Sequence, residues 1–89
     1  MKINGYTVFA VLPNLYAGGI DGYVIAAQDE RGACVTARIQ GLDATTWDAG
    51  NYFDGTDAHR NRIQALRDLP RRASVATENI MRDLGAVGA

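Results

Sequence analysis

The apolar residues of this chain repeat with two different periods, one in its first part and the other in its second. Between Tyr6 and Leu42, β-branched and aromatic residues form short runs separated by Gly, Asn and Asp, as is typical of strands and turns. After Asp54 the apolar residues recur at spacings of three and four, which is typical of a helix with one buried face. Because the period changes once, the sequence predicts a sheet followed by helix, an α+β fold.

The sheet is predicted to have three antiparallel strands, with Tyr52-Phe53 as an alternative short fourth strand. Pro13 is expected to end the first strand because it cannot donate to a ladder, and residues 14–22 are predicted as a loop. Apolar and polar residues alternate in the third strand, which predicts one buried and one wet face, with Cys34 on the wet one. The three strands are Tyr6–Leu12, Tyr23–Gln28 and Ala33–Leu42.

A helix is predicted after Asp54 or Thr56, either of which can cap its free amides. Pro70 is expected to kink this helix or to break it after Leu69. Arg62 falls inside the apolar arc, where its side chain must snorkel, pair with a carboxylate or meet a partner. The apolar face is predicted to hold Ala58, Ala65, Leu66, Leu69 and Ala73, with Ile63 at its margin.

The length of 89 residues suits one small domain, with the sheet at about 3–53 and the helices at about 56–84. No apolar run is long enough for a membrane span, and the first residues do not have the pattern of a signal peptide. The single cysteine, Cys34, cannot form an internal disulfide, which fits a reducing cytoplasm. We therefore expect a cytoplasmic domain.

No motif in the sequence predicts catalysis, a cofactor or a metal ion. One cysteine and one histidine give no zinc spacing, and the glycines at 18, 19 and 22 lead into no phosphate-binding helix. His59 has no nucleophile placed beside it by sequence, so a capping or packing role is favoured. Cys34 is interpreted as a packing residue. We expect a protein that is not an enzyme.

Charge is distributed unevenly along the chain. Residues 1–57 carry seven acidic and three basic side chains, whereas residues 58–89 carry six basic and three acidic ones. Arg60, Arg67 and Arg71 fall on the helix face opposite the predicted core. This stripe is either a solvated face with ion pairs to Asp68, Glu78 and Asp83, or a contact surface for phosphate or an acidic protein. The loop at 14–22 adds a second candidate surface with Leu15, Tyr16 and Ile20.

Two resemblances bear on origin. The segment Trp47-Asp48-Ala49-Gly50-Asn51-Tyr52-Phe53, followed by an arginine-rich helix, resembles a pattern in small uncharacterised proteins of actinobacteria and their phages. The order of three strands and a helix that opens with Gly55-Thr56-Asp57-Ala58 is similar to the N-terminal domain of HicB-type antitoxins, which blocks a toxin ribonuclease. The Pro-Gly-Cys turn of that family is missing here, so the resemblances assign no functional residue.

The sequence thus predicts a small protein-binding module, related to phages or mobile elements, that acts by occupying the surface of a partner protein. A homodimer or higher oligomer is expected, because one helix layer cannot cover apolar residues on both faces of the strands. The alternative is a nucleic-acid-binding module that uses Arg60, Arg67 and Arg71. The net charge of −1 argues against it.

Overall fold

A computed structural model of the chain describes residues 1–47 and 49–85. In these ranges five antiparallel strands, paired in chain order, precede two helices, which confirms the α+β class. Neither helix is long and apolar enough to cross a membrane. The strands are β1 (Lys2–Ile3), β2 (Tyr6–Tyr16), β3 (Gly19–Gln28), β4 (Cys34–Ile39) and β5 (Gly50–Phe53), and the helices are α1 (Ala58–Arg72) and α2 (Val75–Asp83).

The described residues form a sheet of five strands where three or four are predicted, and the β2–β3 hairpin is longer than predicted. Pro13 does not end β2, and the predicted loop at 14–22 is the tip of the β2–β3 hairpin, closed by Ala17 and Gly18 at positive φ. The Pro13 carbonyl accepts from the Thr77 hydroxyl of α2, at 3.0 Å. Since the N and O of a strand residue point to the same side, the missing N–H of Pro13 interrupts no bond to β3.

Two bulges fit the long hairpin to its surroundings. The register between β2 and β3 shifts at Phe9, so Phe9 and Ala10 both pack against the helix side of the sheet. The register shifts back at Gly22, which has a φ of +73°. A Cβ atom at this position would lie 2.6 Å from the Ile39 carbonyl oxygen, which leaves no room for a larger residue. The residues that suggested a loop therefore serve a bulge and a tight turn.

Both faces of the central strands are buried. On one face α1 covers the helix-side core, so the prediction of a wet face on the third strand is wrong for Cys34 and Thr36, both completely buried. The other face is concave and is closed by the curl of the sheet and by Ala44 and Trp47. The helix-side core contains Val24, Ala26, Cys34, Ala65 and Leu69; the concave core contains Ile3, Ile25, Ala27, Val35, Ala37 and Ile39.

The helical region departs from its prediction in two ways. α1 runs through Pro70 and ends at Arg72. The helix is interrupted at Ala73–Ser74, where the Ser74 hydroxyl accepts from Thr77 N at 3.2 Å and caps the start of α2. Leu66, expected on the buried face, is 46% exposed, while Asn61 is buried. The buried stripe is rotated toward Asn61 because this side chain hydrogen-bonds to the turns beneath α1.

Candidate functional site

The three arginines of the predicted stripe, which we call the arginine ridge (Arg60, Arg67 and Arg71), are exposed on the outer face of α1. Asp57 fixes the start of this helix by accepting from the backbone N–H groups of His59 and Arg60 at 3.0 and 3.1 Å. His59 is exposed and contributes its backbone amide to that cap. The ridge thus lies on a helix of defined register.

The ridge has no carboxylate partner within the part of the chain that the structure describes. The ion pairs found there join Arg38 to Asp21 and Arg82 to Glu78. Asp68, predicted to pair with the stripe, points to the sheet and accepts from Thr36 Oγ1 and from Asn51 Nδ2. Of the ion pairs in that alternative, none joins Arg60, Arg67 or Arg71 to Asp68, Glu78 or Asp83 among the described residues, and Glu78 pairs instead with Arg82.

Two apolar side chains lie beside the ridge. Ile63 and Leu66 are 38% and 46% exposed, although they belong to the helix that forms the core. Ile63 is three residues after Arg60 and four before Arg67, so these side chains are neighbours on the helix surface. The outer face of α1 is therefore mixed, with an apolar strip next to three guanidinium groups.

The predicted surface at Leu15, Tyr16 and Ile20 is divided by the strands that carry it. Leu15 pairs with Ile20 across the hairpin, so the two share one face of the sheet, and Tyr16 has the opposite orientation. Tyr16 and Ile20 are 71% and 60% exposed, whereas Leu15 is half-buried. The amide of Leu15 donates to Thr77 Oγ1 at 2.9 Å, and its carbonyl accepts from Ser74 Oγ at 2.6 Å.

Arg62 takes one of the three predicted options. Its guanidinium carbon lies 4.1 Å from the centre of the Phe9 ring, and its Nη1 donates to Gln28 Oε1 at 3.0 Å. The side chain therefore snorkels across the edge of the helix-side core and makes a cation–π contact there. It is separate from the ridge in both direction and role.

Sequence reasoning missed an aromatic cluster at one end of the concave face. The Tyr6 ring lies 5.6 Å from Trp47 and 6.3 Å from Tyr52, and Trp47 Nε1 donates to the Tyr52 hydroxyl at 3.3 Å. Trp47 and Phe53, which belong to the same short segment, pack on opposite faces of the sheet. The alternation of side chains along β2 places Tyr6 on the same face as Val8, and this pattern is the one sequence feature that could have indicated the position of Tyr6 in the cluster.

A cleft of about 390 Å³ opens next to this cluster. It lies at the end of the sheet where the β3–β4 turn and the β5–α1 connection meet the start of β2. Burial, and after it the charges of Asp29 and Asp54, raise the pKa of the Tyr6 hydroxyl. The cleft is lined by Tyr6, Asp29, Arg31, Ala33, Tyr52, Asp54 and Gly55.

Cys34 and the acidic residues give no sign of a reactive thiol or a metal centre in the part of the chain that the structure describes. Burial raises the pKa of the Cys34 thiol, so it is protonated at neutral pH. No group of three or more His, Cys, Asp or Glu side chains suited to a metal ion occurs in residues 1–47 and 49–85. Asp48, in the segment that carries the actinobacterial resemblance, lies outside the described residues.

Comparison with known proteins adds no family to this description. No protein-family model matches the chain, and no curated protein or solved structure is significantly similar to it.

Proposed function

We propose that this chain is a non-enzymatic protein-binding module, related to phages or mobile elements, that acts in the cytoplasm by occupying the surface of an acidic partner protein. The observation that carries the proposal is the outer face of α1, where the arginine ridge is exposed and forms no ion pair among the described residues. Charge complementarity therefore favours an acidic partner surface.

The apolar strip beside the ridge favours a protein over a polyanion. Ile63 and Leu66 can be buried only by another apolar surface, and a phosphate backbone offers none. Three phosphate contacts would also give weak capture at physiological salt, with a slope of only about −2 to −3 in log K against log salt. An acidic helix or strand with apolar residues between its carboxylates satisfies both halves of this face.

The hairpin tip extends the proposed surface at one end of α1. Ser74, three residues after Arg71, donates its backbone N–H to Asn14 Oδ1 at 2.7 Å, so the end of the ridge lies close to the tip. Tyr16 is exposed and has the same orientation on β2 as the residues under the helix. Leu15 and Ile20 have the other orientation and contribute to a separate edge of the tip.

The test uses affinity capture from the host lysate, with and without nuclease, followed by binding measurements between the purified protein and each captured partner. The triple variant Arg60→Gln, Arg67→Gln and Arg71→Gln should lose the partner, because it removes the ridge and keeps helix-forming residues. A triple variant of Lys2, Arg31 and Arg82 to Gln has the same net charge, changes no residue of the ridge or the hairpin tip, and should retain the partner.

Two results would contradict the proposal. One is a captured set that does not differ between the wild-type protein and the ridge variant. The other is nucleic-acid binding, measured by fluorescence anisotropy with duplex DNA, single-stranded DNA and hairpin RNA at physiological salt. Submicromolar binding to any of them that depends on the ridge would favour the alternative function.

We also propose self-association, through a surface other than the apolar faces of the strands. The concave face is covered within one copy, so it does not require a second chain. The nine-residue α2 instead has Thr77 as its buried residue, whereas Ile80 is 47% exposed and Leu84, its neighbour one turn later, is 75% exposed. Sedimentation equilibrium at tens of micromolar that finds only a 9.6 kDa species would contradict this proposal.

A further inference from the structure

The cleft beside the aromatic cluster shares no residue with the arginine ridge. Three chain reversals meet there, namely the β1–β2 turn, the β3–β4 turn and the β5–α1 connection. A second cleft of about 340 Å³ continues from the first, because both are lined by Tyr6, Asp29 and Arg31. The open end of the sheet therefore has a continuous depression large enough for a side chain or a small molecule.

Two carboxylates in the cleft are available to a ligand. Asp29 Oδ1 accepts from the backbone N–H groups of Arg31 and Ala33, both at 2.9 Å, which fixes this carboxylate on its turn. Among the described residues, no donor bonds to the other oxygen of Asp29 or to either carboxylate oxygen of Asp54. The charged groups that line this cleft are these two carboxylates and one guanidinium, that of Arg31, so the formal charge of the lining is negative.

An aromatic wall faces the same space. Tyr52 is 54% exposed, and its hydroxyl is held by Trp47 Nε1, so the ring is oriented but not covered. Tyr6 packs against both of these rings and lines the cleft with Tyr52. A cation above a tyrosine ring is attracted by the ring quadrupole, and a nearby carboxylate can accept its N–H groups at the same time.

We propose that this cleft binds a guanidinium group, with Tyr52 as the stacking surface and Asp29 and Asp54 as acceptors. A guanidinium is flat and weakly hydrated and donates in a fork, so it uses an aromatic face and a carboxylate together. The group can come from a small molecule, another protein or the ridge of a second copy. Arg31, on the rim without an ion pair among the described residues, competes with this ligand.

The probe is N-acetyl-arginine amide, and binding is followed by NMR chemical-shift titration of the wild-type protein. We expect saturable shifts at Tyr6, Tyr52 and Asp54 with a Kd of about millimolar, since one cation–π contact and one exposed ion pair are weak. N-acetyl-citrulline amide, which has the same shape without the charge, should cause no saturable shift. Equal binding of the two compounds, or shifts elsewhere in the protein, would overturn the proposal.

Variants separate this cleft from general charge effects. Asp54→Asn should weaken binding by about threefold or more, while Asp83→Asn, with the same change in net charge, should leave it unaltered. Arg31→Ala should tighten binding by about threefold because it removes the competing cation. A loss of affinity in Asp83→Asn as large as that in Asp54→Asn would refute a specific site.

Sedimentation equilibrium distinguishes the sources of the guanidinium. If the ridge of a second copy supplies it, the Asp54→Asn variant and the ridge triple variant should both associate less than the wild-type protein. If only the small probe responds to Asp54→Asn, the guanidinium comes from another molecule. Either result is compatible with the cleft, whereas an absence of saturable probe binding contradicts it.

Discussion

The central strands of the sheet are buried on both faces, but by different means. On the helix side, α1 lies over the strands, with polar contacts from Asp68 to β4 and β5 and from Asn61 to the turns beneath the helix. On the concave side the described residues provide no helix; the sheet curls over its own apolar residues, and Trp47 closes it from the β4–β5 connection. The helix side is therefore covered by a regular helix that also makes polar contacts, whereas the concave side is closed by an irregular connection and aromatic side chains.

This difference has a consequence for stability. A helix can lose one contact and remain in place through its other turns, because Ala65 and Leu69 are buried elsewhere along α1. The β4–β5 connection has few internal bonds, and within its described residues the Gly41–Ala44 turn is its one backbone hydrogen bond. This connection therefore covers the concave core mainly through one large side chain, that of Trp47, whereas α1 distributes its contacts.

The largest effect is expected for Trp47→Ala. This change removes the ring that packs on the concave core and on Tyr6, and the unfolding free energy should fall by about 3 kcal/mol or more. Leu42→Ala is the matched control in the same connection, and its exposed side chain should make a difference within about 0.5 kcal/mol. Urea denaturation of both variants measures this. Equal losses would mean that the connection, and not the ring, covers the face.

A smaller effect is expected for Asn61→Ala on the helix side. The amide of Asn61 donates to the carbonyls of Gly32 and Gly55 at 3.0 and 2.8 Å and accepts from Gly55 N at 3.0 Å. Alanine leaves three backbone groups without their partner, including the buried carbonyl of Gly32, so the free energy of unfolding should fall by about 2 kcal/mol. Gln64→Ala, on the exposed side of the same helix, is the control, and an equal loss there would contradict the argument.

The contact between Thr36 and Asp68 should contribute less. Thr36→Val keeps the shape of the buried side chain and removes the donor to Asp68 Oδ2, while Asn51 Nδ2 still donates at 3.1 Å. We expect a loss of about 1 kcal/mol in urea denaturation, because one of two bonds to the carboxylate remains. A loss as large as that of Asn61→Ala would show that this face also depends on one contact.

The comparison of the faces also explains what the sequence could predict. The helix and its exposed arginines follow a period of 3.6, so Ala65, Leu69 and the arginine ridge were placed correctly. The connection that covers the concave side has no period, and its role depends on contacts such as that of Trp47 with Tyr6, which are distant in sequence. No local rule identifies such a pair.

The errors have a common physical cause. Pro13, the glycine-rich stretch at 18–22 and Pro70 were interpreted as breaks, yet each lies inside or at the turn of a regular element. Pro13 is tolerated because its side of β2 bonds to hydroxyl groups of α2 instead of a strand. Asn61 was missed because a polar residue on a helix indicates exposure until the buried turns that it bonds to are known.

The smallest effect is a loss of stability at alkaline pH, to which each face contributes one group. Burial raises the pKa of Cys34 on the helix side above its ordinary value of 9.0, and burial followed by nearby carboxylates raises that of Tyr6 on the concave side above 10.0. In both cases the folded protein holds a proton that the unfolded chain releases. The contribution of each group to the free energy of unfolding is therefore fully present below the pKa of the unfolded chain and is lost as pH rises toward the pKa of the folded protein.

Urea denaturation between pH 8 and pH 11 measures this decline. Cys34→Ala should flatten the part that begins near 9.0, and Tyr6→Phe the part that begins near 10.0. If neither variant changes the slope, these groups are solvated alike in the folded and unfolded chains, and the two faces do not exclude water as the comparison requires.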